Sequence, residues 1–256
     1  MNTTSLEYVL ERRMLIRARP ETVFRYFTDS ERWAAWWGAG SSIEPRSGGR
    51  VLVLHPGGVE AGGEVIEIDP PRRIVFSYGY ASGKPIPMGA SRVTITLTAE
   101  RHGTRLELHH ALADREARDQ HVQGWRYQLS LFSNVVANEL LSDPAARVDA
   151  WFSAWSEPDA ARRDPALRAI TSEDVRFRDR YSAVEGRADL EPHVAAMHVH
   201  MAGTMIERRG AAHHCQGTVL ADWVARGPGG VERGHGTAIF RFDADGRIED
   251  VVGIWL

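Results

Sequence analysis

The sequence predicts an α+β protein of two domains in tandem: an antiparallel sheet wrapped on one long helix, then a conical unit with three helices ahead of a second sheet. Three observations carry this. At 256 residues the chain exceeds the usual size of a single core. Apolar residues alternate through the strand-like runs as far as GTRLELHH, then recur every three or four positions from Asp114 to Leu141. Beyond that helix the order of elements inverts, with helices first and strands last. The expected boundary separates residues 1–142 from residues 143–256.

In the first domain, Leu10, Met14, Ile16 and Ala18 alternate with Glu11, Arg13, Arg17 and Arg19, the pattern of a half-buried strand. Pro20 suits the first turn of a short helix with Val23, Phe24 and Phe27 inward. A second helix follows in ERWAAWWG, with Asp29 or Ser30 as cap and Gly38 as terminator. Its Trp33, Trp36 and Trp37 fall on one face, which offers a broad aromatic surface to a core or to a ligand. About five more strands follow. In RRIVFSYGY, Ile74, Phe76, Tyr78 and Tyr80 share a face; Val93, Ile95 and Leu97, then Leu106 and Leu108, repeat the alternation. The long helix turns Trp125, Leu129, Phe132, Val136 and Leu140 inward. A helix stripe cannot fill a broad concave sheet, so space is expected between them, bordered by Trp33, Trp36, Trp37, Phe76, Tyr78, Tyr80, Trp125 and Leu129.

The run PETVFRYFTDSERWAAWWG, the GG before a strand, VIEIDPPRRIVFSYGY, GTRLELHH and HVQGWRYQL together resemble the bacterial homologues of the activator of heat-shock-protein-90 ATPase. These belong to the helix-grip superfamily of START-like (SRPBCC) and polyketide-cyclase-like proteins, and the resemblance covers positions 8 to 141. It implies a cavity for a small hydrophobic molecule beneath the long helix and carries no common catalytic residue. Contact with a chaperone is also implied by the family's name.

In the second domain, Asp143 and Pro144 can open a helix with Val148, Trp151, Phe152 and Trp155 as a stripe. Asp164 and Pro165 open the next, with Leu167 and Ile170 inward. The strand EDVRFRDRYSAVEG sets Val175, Phe177, Asp179 and Tyr181 against Arg176, Arg178 and Arg180, which places an acid on the apolar side. A third helix after Gly186 has Leu190, Val194, Met197 and Met201 inward. Strands are expected around 205–208, 217–225, 233–243 and 247–255, the last two joined by the hairpin signal DADG.

VRFRD with EGRADL, and FRFDADGRIEDVVGIW, resemble the nuclear-transport-factor-2-like superfamily, especially its SnoaL-like and ketosteroid-isomerase-like members. This implies a conical pocket, walled on this reading by Trp151, Trp155, Phe177, Tyr181, Met197, Trp223, Phe240 and Trp255. Asp179 stands where the isomerase-like members keep a general base, and an apolar wall raises a carboxyl pKa toward a useful range. An Asp at a strand end equally serves to bond the amides of the adjoining turn. Where that family has its tyrosine this chain has Trp151, and Ala238 replaces its second acid, so steroid isomerisation is not expected.

Several classes are excluded. The formal net charge of −3 gives no basic footprint for nucleic acid, and Arg72/Arg73 and Arg208/Arg209 are isolated pairs. No apolar run reaches the ~20 residues of a membrane span, and MNTTSLEYVLERR lacks the apolar core of a signal peptide, so a cytoplasmic location is expected. The lone Cys215 offers no disulfide and reads as a small half-buried core residue, with a reactive thiol as the alternative. HVAAMHVH and AHHC lack metal-ligand spacing, and GAGSS and GPGG lack a nucleotide-loop setting. No metal and no cofactor are therefore expected.

The reading is a protein that binds small hydrophobic or aromatic molecules in cavities of one or both domains. The alternative is a cofactor-independent isomerase, cyclase or hydrolase using Asp179. A third is an interaction module whose open sheet faces form a homodimer or hold a chaperone.

Overall fold

The computed structural model describes residues 5–256, so the first four residues of the segment read for a leader lie outside the described residues. The chain divides into two compact units, Met1–Ala137 and Asn138–Leu256.

The first unit contains β1 (Tyr8–Ile16), α1 (Pro20–Arg25), α2 (Ser30–Trp37), β2 (Ser42–Ile43), β3 (Arg50–His55), β4 (Val59–Asp69), β5 (Arg73–Tyr78), β6 (Ser91–Glu100) and β7 (Gly103–Leu112), followed by α3 (Arg115–Leu140). Its seven strands form one antiparallel sheet ordered β1-β7-β6-β5-β4-β3-β2. Strand β2 is too short to show alternation, which is why it was not foreseen.

Capping follows the local chemistry. The Asp29 carboxylate accepts the Arg32 amide at the start of α2, and Asp114 accepts the amides of Glu116 and Ala117 at the start of α3. Gly38 ends α2 at φ 139°, where a Cβ would overlap the Leu54 carbonyl oxygen, so only glycine fits. Strand β5 departs from the expected one-faced pattern. Ile74, Val75, Phe76, Ser77 and Tyr78 are all buried, as in a central strand covered on both sides, and Tyr80 lies beyond its end on isolated bridges to Ala61 and Pro87.

The second unit contains α4 (Pro144–Ser156), α5 (Ala160–Ile170), β8 (Thr171–Arg178), β9 (Ala183–Glu185), α6 (Arg187–His200), β10 (Met205–Cys215), β11 (Thr218–Arg226), β12 (Glu232–Phe242) and β13 (Ile248–Trp255). The sheet order is β10-β11-β12-β13-β8-β9, antiparallel except where β13 runs parallel to β8.

Four expectations need correction here. Helix α5 starts before Asp164, because the Asp159 carboxylate accepts the Ala161 amide and caps it earlier, leaving Pro165 inside the helix. Strand β8 stops at Arg178, so Asp179 and Tyr181 lie in the following turn rather than on a continuing strand. Strand β10 runs on to Cys215 through a bulge at Gly210, φ 76°; as an edge strand it has no fully buried side chain, and its alternation between exposed and half-buried positions is interrupted at the bulge. Cys215 ends that edge and is exposed, not half-buried.

Each unit has its own core. Trp33, Phe76, Leu106, Leu108 and Phe132 belong to the first; Leu141, Val148, Leu190, Val219 and Phe240 belong to the second. Among the described residues no helix is long and apolar enough to cross a membrane.

Candidate functional site

The second unit encloses a cavity of about 540 Å³, within the usual range for small-molecule sites. Helix α4 presents Trp151 and Trp155 to it, one turn apart, and β8 presents Phe177. Trp223 comes from β11, Ala238 from β12, Trp255 from β13 and Met197 from α6. The wall is a chain of rings: Trp151 to Trp155 at 5.4 Å, Trp155 to Phe177 at 4.8 Å, and Trp223 to Trp255 at 4.8 Å. Such contacts fix ring orientation while leaving apolar faces to the interior.

Two of the expected residues stand apart. Phe240 is fully buried and packs edge-on against Trp151 and Phe152, so it supports the wall from the core and does not line the cavity. Tyr181 lies at the rim, 70% exposed, its ring edge-on to Trp255 at 5.3 Å.

Asp179 lines the cavity. One carboxylate oxygen accepts the Tyr181 amide at 2.8 Å, which closes the turn after β8. The other accepts the Trp255 indole N–H at 3.1 Å, which ties the last strand's ring to the wall. The turn-bonding role and the cavity position therefore belong to the same side chain. Gly253 leaves room beside it, since a Cβ there would stand 3.3 Å from the Asp179 Cβ.

Sequence reasoning did not assign His193, His200, Thr204 or Arg233 to the cavity, yet all four line it. His193 packs against Trp155 and Phe177, at 5.8 and 5.9 Å. Its spacing of four from Met197 on α6 was the available signal, because both fall on one helical face. Arg233 donates to the buried Thr204 hydroxyl at 2.8 Å, a pairing across separate segments that spacing cannot reveal. The Trp155 indole nitrogen is buried and finds no partner in the protein.

The first unit holds a smaller cavity of about 280 Å³ between α2, α3 and the ends of β3 and β5. Trp36, Trp37, Tyr78, Tyr80 and Trp125 line it, joined by His55, His121 and Gln128. Trp33, Phe76 and Leu129 do not. Trp33 is fully buried and donates its indole N–H to the Leu52 carbonyl at 3.0 Å, fastening α2 to β3, while Phe76 and Leu129 are packed in the core.

Behind this cavity lies a fully specified relay. The Ser91 hydroxyl donates to the Tyr78 carbonyl at 2.8 Å, so its oxygen accepts from His110 Nε2 at 2.7 Å; the Trp125 indole donates to His110 Nδ1 at 2.9 Å. That pattern admits only the neutral imidazole. Burial, reinforced by neighbouring His121, pulls the His110 pKa down to about 3. Burial also holds His121 and His55 below the usual histidine range, and it raises the Tyr78 hydroxyl above its ordinary value. Among the described residues no cluster of three or more His, Cys, Asp or Glu side chains is placed to hold a metal ion.

Two α+β units in tandem thus each carry an aromatic-lined cavity between helices and a sheet. Residues 17–137 match the family of activator of Hsp90 ATPase homolog 1-like proteins, and residues 148–251 match the SnoaL-like domain. The first unit thus matches the former family and the second matches the SnoaL-like domain. Among solved structures it is similar to an AHSA1-like protein from Rhizobium etli, 32% identical, covering 50% of this chain and 81% of that one with a TM-score of 0.42. A SnoaL-like family protein from Agrobacterium tumefaciens is 22% identical, covering 43% of this chain and 95% of that one, TM-score 0.42. The Aha1 dimer from Colwellia psychrerythraea is 17% identical, covering 48% and 90%, TM-score 0.42. No curated protein matches the chain.

Proposed function

We propose that the protein binds a small hydrophobic, aromatic molecule in the cavity of its SnoaL-like unit. The observation that carries this is the ring wall of Trp151, Trp155, Phe177, Trp223 and Trp255 around about 540 Å³ of space that the protein's own side chains leave open. Apolar walls supply affinity through burial, at roughly 25 cal/mol per Å² removed from water. Asp179, His193 and Arg233 are the sparse polar groups that orient the guest. A polycyclic aromatic probe should quench the fluorescence of these indoles with saturation, and Ala196→Trp, which projects bulk from α6 into the cavity, should abolish that binding. Unchanged binding in the filled variant would overturn the assignment.

A second reading, a cofactor-independent isomerase, cyclase or hydrolase, is favoured by one specific placement: Asp179 and Trp151 line the same cavity. A carboxylate there could take a proton from a carbon next to a carbonyl. Asp179→Asn separates the two. Retained guest affinity with no change in any turnover supports binding alone, whereas lost turnover at retained affinity supports catalysis.

A further inference from the structure

We propose that the cavity of the first unit is a second binding site, built for a neutral one- or two-ring aromatic molecule that carries a hydrogen-bond-accepting oxygen, such as an aryl ketone. On this proposal the N–H groups of Trp36, Trp37 and Gln128 grasp that oxygen. The inference rests on the general reading that the chain's cavities take guests, and it differs from the C-terminal site in chemistry.

The first support is an imbalance of donors. The indole nitrogens of Trp36 and Trp37 and the amide nitrogen of Gln128 are buried and have no partner in the protein. All three residues line this cavity and are at least nine-tenths buried, at 2%, 5% and 6% exposure. Native proteins leave few such groups unpaired, because each forfeits its bond to water on folding. The neighbouring indoles show that the fold pairs such donors where it needs no guest: Trp33 bonds the Leu52 carbonyl and Trp125 bonds His110. Three unpaired donors therefore converge on this one cavity.

The second support is that the other polar groups are already matched. His121 donates from Nδ1 to the Ala117 carbonyl at 2.6 Å, which leaves Nε2 to accept the Tyr80 hydroxyl at 3.4 Å. The Tyr78 hydroxyl pairs with His55 Nε2 at 3.1 Å. What the two indoles and the Gln128 amide nitrogen lack is an acceptor. No Asp, Glu, Lys or Arg lines it, and burial keeps His55 and His121 below their ordinary pKa, so it offers no counter-charge to an ion. A neutral oxygen on a flat ring satisfies the donors and lies against the Trp37 and Tyr78 faces, which are stacked 6.2 Å apart at 24°. About 280 Å³ limits the guest to a small ring system.

The test uses the full chain with ¹⁵N-labelled tryptophan and two probes of nearly equal shape, 1-tetralone and tetralin, which differ in the carbonyl. The indole N–H resonances, assigned by single Trp→Phe variants, report which cavity is occupied. Tetralone is expected to shift Trp36 and Trp37 and to bind about tenfold tighter than tetralin, the value of one to two good hydrogen bonds. Gln128→Met should cut the tetralone preference several-fold, leave tetralin affinity unchanged and leave the ligand-free melting temperature equal or higher. A merely structural glutamine would lower that temperature instead. Trp37→Phe provides the same comparison should the Met variant fail to fold. Equal affinities for the two probes, a preference that survives both variants, or shifts confined to Trp151, Trp155, Trp223 and Trp255 would overturn the proposal. Shifts at Trp36 and Trp37 with every C-terminal indole unmoved would uphold it while sinking the C-terminal reading.

Discussion

At the scale of single residues, His110 shows how a buried polar group is made tolerable and what that implies for pH. Its two nitrogens are committed to Ser91 and Trp125, so protonation would set a new N–H against the indole donor. With a folded pKa near 3 and an unfolded one near 6.5, the unfolded chain takes up a proton below pH 6.5 that the folded chain refuses. Stability is therefore complete above pH 6.5 and declines as pH falls toward 3, by up to about 1.4 kcal/mol per pH unit for this group. His55 and His121, also depressed, add in the same direction. Urea unfolding between pH 7.5 and 5 should show that decline. It should be shallower in His110→Gln, whose amide can accept from Trp125 and donate to Ser91 without titrating. Nothing in the sequence marked His110 out. Its place on the inward face of β7 follows from Leu106 and Leu108, four and two positions earlier, but its partners come from β6 and α3. Asp179, by contrast, was legible because a lone acid broke an apolar alternation, although its bond to Trp255 spans 76 positions and could not be read.

At the scale of elements, α2 delivers Trp36 and Trp37 to the N-terminal cavity, and its exit depends on Gly38. The backbone there is in a region reserved for glycine, and the Leu54 carbonyl occupies the space a side chain would need. Gly38→Ala should destabilise the unit by about 1–3 kcal/mol. Gly48→Ala, at φ 73° with open space around it, should cost less, about 1 kcal/mol from backbone conformation alone. Denaturant midpoints of the two variants check the order. Elements with a strong period were readable: α3 through its three-and-four spacing, and β6 through strict alternation of Val93, Ile95 and Leu97 against threonines. The others differ from their sequence pattern for physical reasons. Strand β10 is an accessible edge with a bulge, β2 has two residues, and β8 was overextended because Asp179 and Tyr181 continue its alternation beyond its last ladder bond.

At the scale of the whole molecule, two separate cores permit a direct test of where the second domain begins. Leu141 is buried with Val148, Phe240 and Val251 in the second core, although it precedes the Asp143 cap of α4. A fragment starting at residue 138 should therefore retain guest binding, since every residue of its cavity lies between Trp151 and Trp255. A fragment starting at residue 143 should be less stable by about 2 kcal/mol or more, the usual loss for deleting a buried leucine. Thermal melts of the two fragments, each with and without an aromatic probe, decide this. The parallel pairing of β13 with β8 has a further consequence. The strand that fills the gap between β12 and β8 is the last of this unit to leave the ribosome, so neither neighbour can zip to its partner until translation has passed Trp255. Until then both borders stay open to foreign chains, which makes the nascent protein, not the finished one, the form most exposed to misassembly.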